Sequence, residues 1–187
     1  TVMMCSALLG GYSFKQGWPL ILSVLLTIFV GVAFGFINGN LIARLHLPPF
    51  IATLGTQMMA AGLGSIITKV QSQTWPTATA EVGSWFKKVF IRADIFGVKG
   101  FPVGAFWLIG FFLIAMLILH KTRFGRYAFA IGSNEEATRL SGIKVDKWKV
   151  AVYTLSGFFI GMSGLFYAAA YTTITPGTGA GQEMNGI

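Results

Sequence analysis

Residues 20–43, LILSVLLTIFVGVAFGFINGNLIA, run for 24 positions without a charge. As a helix this stretch is about 36 Å long, which exceeds the roughly 30 Å hydrocarbon core of a bilayer. Residues 50–68, 103–119 and 150–171 are likewise uncharged, over 19, 17 and 22 positions. A soluble fold would have to bury four such helices on every side within 187 residues, and little amphipathic chain is left to cover them. The expectation is therefore an all-α, polytopic integral membrane helical bundle with about four complete transmembrane helices. Residues 50–68 (FIATLGTQMMAAGLGSIIT) are polar enough to form a broken or partly re-entrant helix instead of a full crossing.

Only 11% of residues are charged, against 54% hydrophobic, where soluble domains carry roughly 25% charged residues. The formal net charge is +8, yet the basic residues sit in the links between apolar runs and not along one face. That is the distribution of membrane-flanking residues, and it argues against nucleic acid as a partner. Cys5 is alone, so neither a disulfide nor a cysteine zinc site can form within the chain, and it reads as a small buried apolar residue. P-loop, HExxH, GxSxG and EF-hand patterns are missing. His46 and His120 stand at span ends beside Arg44 and Lys121. No catalytic residue, metal site or cofactor is expected. Thr1 is not an initiator and no basic segment precedes the first apolar stretch. TVMMCSALLGG reads as the tail of an earlier span and QEMNGI as a stop before another element, so a piece of a longer polytopic protein is expected.

The most polar part of the chain is the link 120–149, which holds seven of the fourteen Lys and Arg and three of the six acids. If it is cytoplasmic, alternation places the RLHLPP turn inside and the 69–101 link outside. The inside then carries eight basic residues and the outside six, a small bias in the expected direction. Within the link, Ser133 followed by Glu136 is the spacing of a capping box. Glu135 and Glu136 favour the positive end of a helix and Gly142 is a left-handed stop. A short helix over 134–141 follows, with Ala137 and Leu140 on one side and charges on the other. It is either a rigid protrusion that transmits force or a solvated connector. In the other link, Val82, Trp85, Phe86, Val89 and Phe90 recur at helical spacing, with Glu81, Ser84, Lys87, Lys88 and Arg92 opposite. This fits a surface anchor or a docking face for an external partner.

Two spans carry small residues three or four apart: Gly31, Gly35 and Gly39 in the first, and Gly157, Gly161, Gly164 and Ala168 in the last. Close helix packing is the usual use of that spacing, and hinging is the alternative. Asp, Glu, Lys, Arg and His are missing from all four spans, although ion-driven transporters usually place such groups inside the bundle. An energy source outside the membrane is favoured, with an ion-coupled secondary transporter or facilitator as the alternative. Asn38, Thr53, Thr56 and Gln57 offer donors and acceptors suited to an uncharged, hydroxyl-rich solute, and interhelical hydrogen bonding would use the same groups.

KTRFGRYAFAIGSNEEATRLSGIKV resembles the cytoplasmic loop of permease subunits in bacterial ABC importers for monosaccharides, the ribose, xylose, arabinose and galactose group. GFINGNLIARLHLPPFIATLGT and YTLSGFFIGMSGLFYAA resemble two further signatures of that family, and the wording is nearest the galactose/glucose type. The resemblance implies a bundle with more spans than are seen here and a pathway formed by two permease subunits. It also implies a cytoplasmic ATPase subunit as partner, an extracytoplasmic sugar-binding protein, and residence in the bacterial cytoplasmic (inner) membrane. Carried over by position, Asn134, Glu135, Glu136, Ala137, Arg139, Leu140, Ser141 and Gly142 form the coupling segment that docks on the ATPase. Asn38, Gly39, Pro49, Phe50, Thr53, Leu54 and Gly55 match the second signature. Ser133 stands where glycine is expected, and Glu135 where proline is common.

Overall fold

The computed structural model describes residues 1–76, 85–91, 93–95, 98–101 and 103–177. Eight helices appear among them: α1 (Val2–Lys15), α2 (Leu20–Ala43), α3 (Pro49–Ile67), α4 (Trp85–Phe90), α5 (Val103–Lys121), α6 (Arg123–Ser133), α7 (Glu135–Leu140) and α8 (Val145–Tyr171). Short strands β1 (Gln73–Thr74), β2 (Ala93–Ile95), β3 (Val98–Phe101) and β4 (Thr173–Ile174) accompany them. β1 pairs antiparallel with β4, and β2 with β3. Helices α2, α3, α5 and α8 are long and apolar enough to cross a membrane, and the chain is a helical membrane bundle.

Proline sets the start of α3, while α8 runs past the limit of its uncharged stretch. Pro48 and Pro49 open α3, Pro49 at the first helical turn where its absent N–H costs nothing. The polar side chains of 50–68 do not break it: α3 is continuous over 19 residues, and Thr53, Thr56 and the C-cap Thr68 find carbonyl partners three or four residues back. At α8 the helix starts five residues before the uncharged stretch, so that Asp146, Lys147 and Lys149 occupy its first turns.

The bundle is organised by the antiparallel pair α2 and α8. A β-carbon placed on Gly31 would lie 2.6 Å from the carbonyl oxygen of Gly157 and from the nitrogen of Gly161. One placed on Gly39 would lie 2.8 Å from the Cα of Val150. The pairing runs in opposite directions along the two helices, backbone against backbone, so each glycine row is the groove into which the other fits. Gly164 plays the same part toward α1, where an added carbon would meet Ser6 Oγ at 2.7 Å.

Helix α1 is the most enclosed element. Met4, Cys5, Ser6, Ala7, Leu8, Gly10, Gly11 and Ser13 are all buried, between α2, α3 and α8. Ser13 donates to Ser23 Oγ of α2 at 3.0 Å, which satisfies two buried hydroxyls at once. At the far end of α8, Trp75 is buried beside α1 and donates its indole N–H to the Ala7 carbonyl at 3.1 Å. The β1–β4 ladder holds Trp75 there, with Gln73 opposite Ile174.

Helix α4 completes this cap. Phe86 stacks on Trp75 with ring centroids 5.0 Å apart, and Phe90 meets Phe166 of α8 at 5.4 Å. Phe86 and Phe90 are buried, while Trp85 and Val89 remain partly exposed. The apolar face read as a surface anchor or docking face is thus half occupied by the protein's own core. Glu81, Val82, Ser84 and Arg92 of that pattern lie outside the described residues.

Helix α5 stands at the edge with no buried residue. It touches the rest through Trp107, whose indole donates to the Val89 carbonyl at 2.9 Å, and through Phe111 against Phe159 and Phe166.

Candidate functional site

The end of the bundle opposite Trp75 is built from the α2–α3 turn, α6, α7 and the start of α8. Helix α6 is amphipathic: Phe124 and Tyr127 pack against Trp148 of α8, with centroids 6.0 and 4.7 Å away, while Arg123 and Arg126 are exposed. Gly125 sits against the backbone of Leu119, where no side chain would fit.

The helix cap falls one residue later than the capping-box spacing places it. Helical hydrogen bonding of α6 continues through Ser133, since Asn134 N still donates to Ala130 O at 3.0 Å. Asn134 is therefore the first residue to leave helical geometry. It is extended, and its Oδ1 accepts from Ala137 N at 3.0 Å. Asparagine caps as well as serine, so the helix is capped as expected but by Asn134, and it covers Glu135–Leu140 instead of 134–141. Gly142 ends the segment at φ +81, the left-handed geometry that favours glycine, with its N–H donating to Arg139 O at 3.0 Å.

Glu135 and Arg139 fasten α7 to the start of α8, and Thr138 ties α7 to its own cap. Thr138 is buried and donates to Asn134 O at 2.8 Å. Lys149 Nζ donates to Glu135 Oε2 at 2.6 Å, and Arg139 bridges Glu135 and Asp146, 3.6 Å from each. The Lys149 ammonium bonded to Glu135 holds that carboxyl below the usual carboxylate range against a partial desolvation, with smaller help from the charges of Arg139 and His46. His46 brings the α2–α3 turn to the same end.

Because Glu135 and Arg139 turn toward α8, the other face of α7 points outward. Glu136, Ala137, Ser141 and Gly142 are exposed, and Leu140 is 87% exposed. Ala137 and Leu140 do share a side, as expected, and both are exposed among the described residues.

Of the four polar span residues, the structure joins two directly. Thr56 Oγ1 donates to Asn38 Oδ1 at 2.8 Å, linking α3 to α2. Gln57 donates to Thr1 Oγ1 at 3.0 Å. Thr53 turns back on its own helix, toward the Pro49 and Phe50 carbonyls. Among the described residues no group of His, Cys, Asp and Glu is placed to hold a metal ion.

Lys149, Thr138, Gly125 and Trp75 were not legible as structural keys. Lys149 meets its partner across a helix and a turn, and no local spacing encodes that contact.

Residues 1–187 match a family model described as "Branched-chain amino acid transport system / permease component". The fructose import permease protein of Rhizobium meliloti is 32% identical over 186 residues, covering 100% of this chain and 51% of that protein. The ribose import permease protein of Escherichia coli (strain K12) is 34% identical over 172 residues, 89% of this chain and 50% of that protein. The galactose/methyl galactoside import permease protein of Haemophilus influenzae is 31% identical over 169 residues, 90% of this chain and 49% of that protein. Identities this similar do not single out the galactose/glucose type. No solved structure matches the chain. The chain spans about half the length of the curated relatives it matches. With a helical membrane bundle, three sequence signatures and a family match along its whole length, the chain belongs to the family of transport-system permease components.

Proposed function

We propose that this chain is part of the membrane-spanning permease subunit of an ATP-driven importer for a monosaccharide. In this reading α7 is the coupling element: a separate cytoplasmic ATPase subunit docks on its outward face, and closure of the ATPase moves it. The observation that carries the reading is the double character of α7. Its outer face offers Leu140, Ala137 and Glu136 to a partner, while Glu135 and Arg139 fix it to the first turns of α8 through Lys149 and Asp146. Helix α8 is in turn locked backbone to backbone on α2. A push on α7 would therefore tilt a rigid helix pair and not merely bend a loop.

The relatives' names support the solute class, since they are import permeases for fructose, ribose and galactose. Asn38, Thr56 and Gln57 would face such a solute when the α2–α3 contact opens, their hydroxyl and amide groups matching sugar hydroxyls. A second permease subunit would complete the pathway, and an extracytoplasmic sugar-binding protein would deliver the sugar at the Trp75 end. The site of action is then the bacterial cytoplasmic membrane.

The test replaces Leu140 and Glu136 with alanine in the full-length protein and measures ATPase co-purification together with sugar uptake. Loss of both is expected while the protein remains folded. Unchanged association and uptake would refute the coupling role, and uptake driven by a proton or sodium gradient without ATP would establish the secondary-transporter alternative. Competition among pentoses and hexoses with the cognate binding protein would identify the sugar.

A further inference from the structure

A groove of about 850 Å³ runs between α2, the α5–α6 corner and α8, lined chiefly by Phe36, Ile118, Val150, Leu155 and Phe158. Its few polar side chains divide sharply. Thr122 and Thr154 both return their hydroxyls to their own helices, to the carbonyls of Ile118 and Val150. Lys147 is the remaining one, and it forms no ion pair among the described residues.

The surroundings of Lys147 are basic. A second hollow of about 460 Å³ shares Lys147 and Ala151 with the groove and adds Lys144, Tyr127 and Trp148. Lys121, Arg123 and Arg126 at the neighbouring corner are exposed and also form no ion pair among the described residues. Of the carboxylates at this end, Glu135 is held by Lys149 and Arg139 and Asp146 by Arg139, while Glu136 stands on the exposed outer face of α7.

A trough of hydrocarbon with a positive lip has the chemistry of one ligand class. A sugar would find no free donor or acceptor along the walls, and an apolar helix would bury the Lys147 ammonium without a counter-charge. An acyl chain satisfies the walls, and an anionic headgroup satisfies the lip. We propose that this groove is a binding site for an anionic phospholipid of the phosphatidylglycerol type. One chain lies against Phe36, Ile118, Leu155 and Phe158, and the phosphate is held by Lys147 with support from Lys144.

The test is native mass spectrometry of the full-length protein in neutral detergent, titrated with phosphatidylglycerol or phosphatidylcholine. Wild type should retain phosphatidylglycerol preferentially. Lys147→Gln should weaken that adduct about fivefold, the effect of one basic residue at a membrane surface, while Lys147→Arg preserves it. Ala151→Phe, which fills the groove from α8, should weaken both lipids, with thermal unfolding as the check on folding. Equal retention of the two lipids by wild type would overturn the proposal. So would a wild-type phosphatidylglycerol adduct in both Lys147→Gln and Ala151→Phe, the result expected if another segment of the full-length protein fills the groove.

Discussion

Lys149 Nζ lies 2.6 Å from Glu135 Oε2, so the second turn of α8 is tied to the first residue of α7 across 14 positions of chain. The tie closes a loop that contains Gly142, which turns the chain in left-handed geometry. The pair joins α7 to α8 at the end where Leu140 is exposed.

On the proposed coupling role, breaking that tie should affect uptake more than stability. Both side chains are part-exposed, 26% for Lys149 and 40% for Glu135, and pairs of this kind contribute at most about 1 kcal/mol. Lys149→Gln is expected to lower thermal stability slightly while reducing uptake several-fold with ATPase association retained. Unaltered uptake in reconstituted vesicles would show that α7 needs no such anchor.

The same pair sets a pH response. Glu135 has its pKa lowered in the folded protein, so its contribution is fully present above the unfolded value of about 4.3 and fades as pH falls through the lower folded value. The stability difference between wild type and Lys149→Gln should be constant near neutrality and fade in acid, as pH falls from the unfolded value through the lowered folded one. Unfolding curves of the two proteins across that range provide the check.

The glycine contact between α2 and α8 should tolerate no added carbon. Gly31→Ala and Gly157→Ala each press a methyl group into facing backbone, and overpacking of this kind costs about 1–3 kcal/mol. Gly55→Ala and Gly62→Ala, where nothing lies within 4 Å, are expected to be neutral or slightly stabilising. Equal melting temperatures for the two groups in detergent would contradict the observed packing.

The shifted cap separates two adjacent residues. Asn134→Ala should cost α7 about 1 kcal/mol, whereas Ser133→Ala, at the last position of α6, should have little effect. Amide exchange at Ala137 and Thr138 reads the difference directly, and greater loss of protection from the Ser133 change would restore the capping-box assignment.

Asn38 and Thr56 form an interhelical hydrogen bond at 2.8 Å. A double-mutant cycle of Asn38→Leu and Thr56→Val is expected to give a coupling of about 0.6 kcal/mol, the average for such bonds in membranes. A coupling of zero would mean that the two groups meet only transiently and stand open to solute.

The fold class and much of helix α7 were legible because their signals are local. An uncharged run of membrane length needs no partner to be read, since the cost of burying charge in lipid acts residue by residue. Gly142 as a stop and the acidic start of α7 follow from the preferences of helix ends alone. The cap itself was misplaced by one residue because Ser133 and Asn134 are both good caps, and the choice fell to how far α6 extended.

Helix pairing was beyond such reading. The glycine rows announced close packing, but that Gly31 meets Gly157 and Gly164 meets Ser6 depends on which helices are neighbours and on their direction. The central place of α1, the seating of Trp75 against Ala7 and the reach of Lys149 to Glu135 are of the same kind. By itself the sequence determined where the chain would enter lipid and where a helix would begin or stop, because propensity and hydration act over a few residues. Only the tertiary structure decided which faces met, because that is settled by shape and by charges brought together from distant parts of the chain.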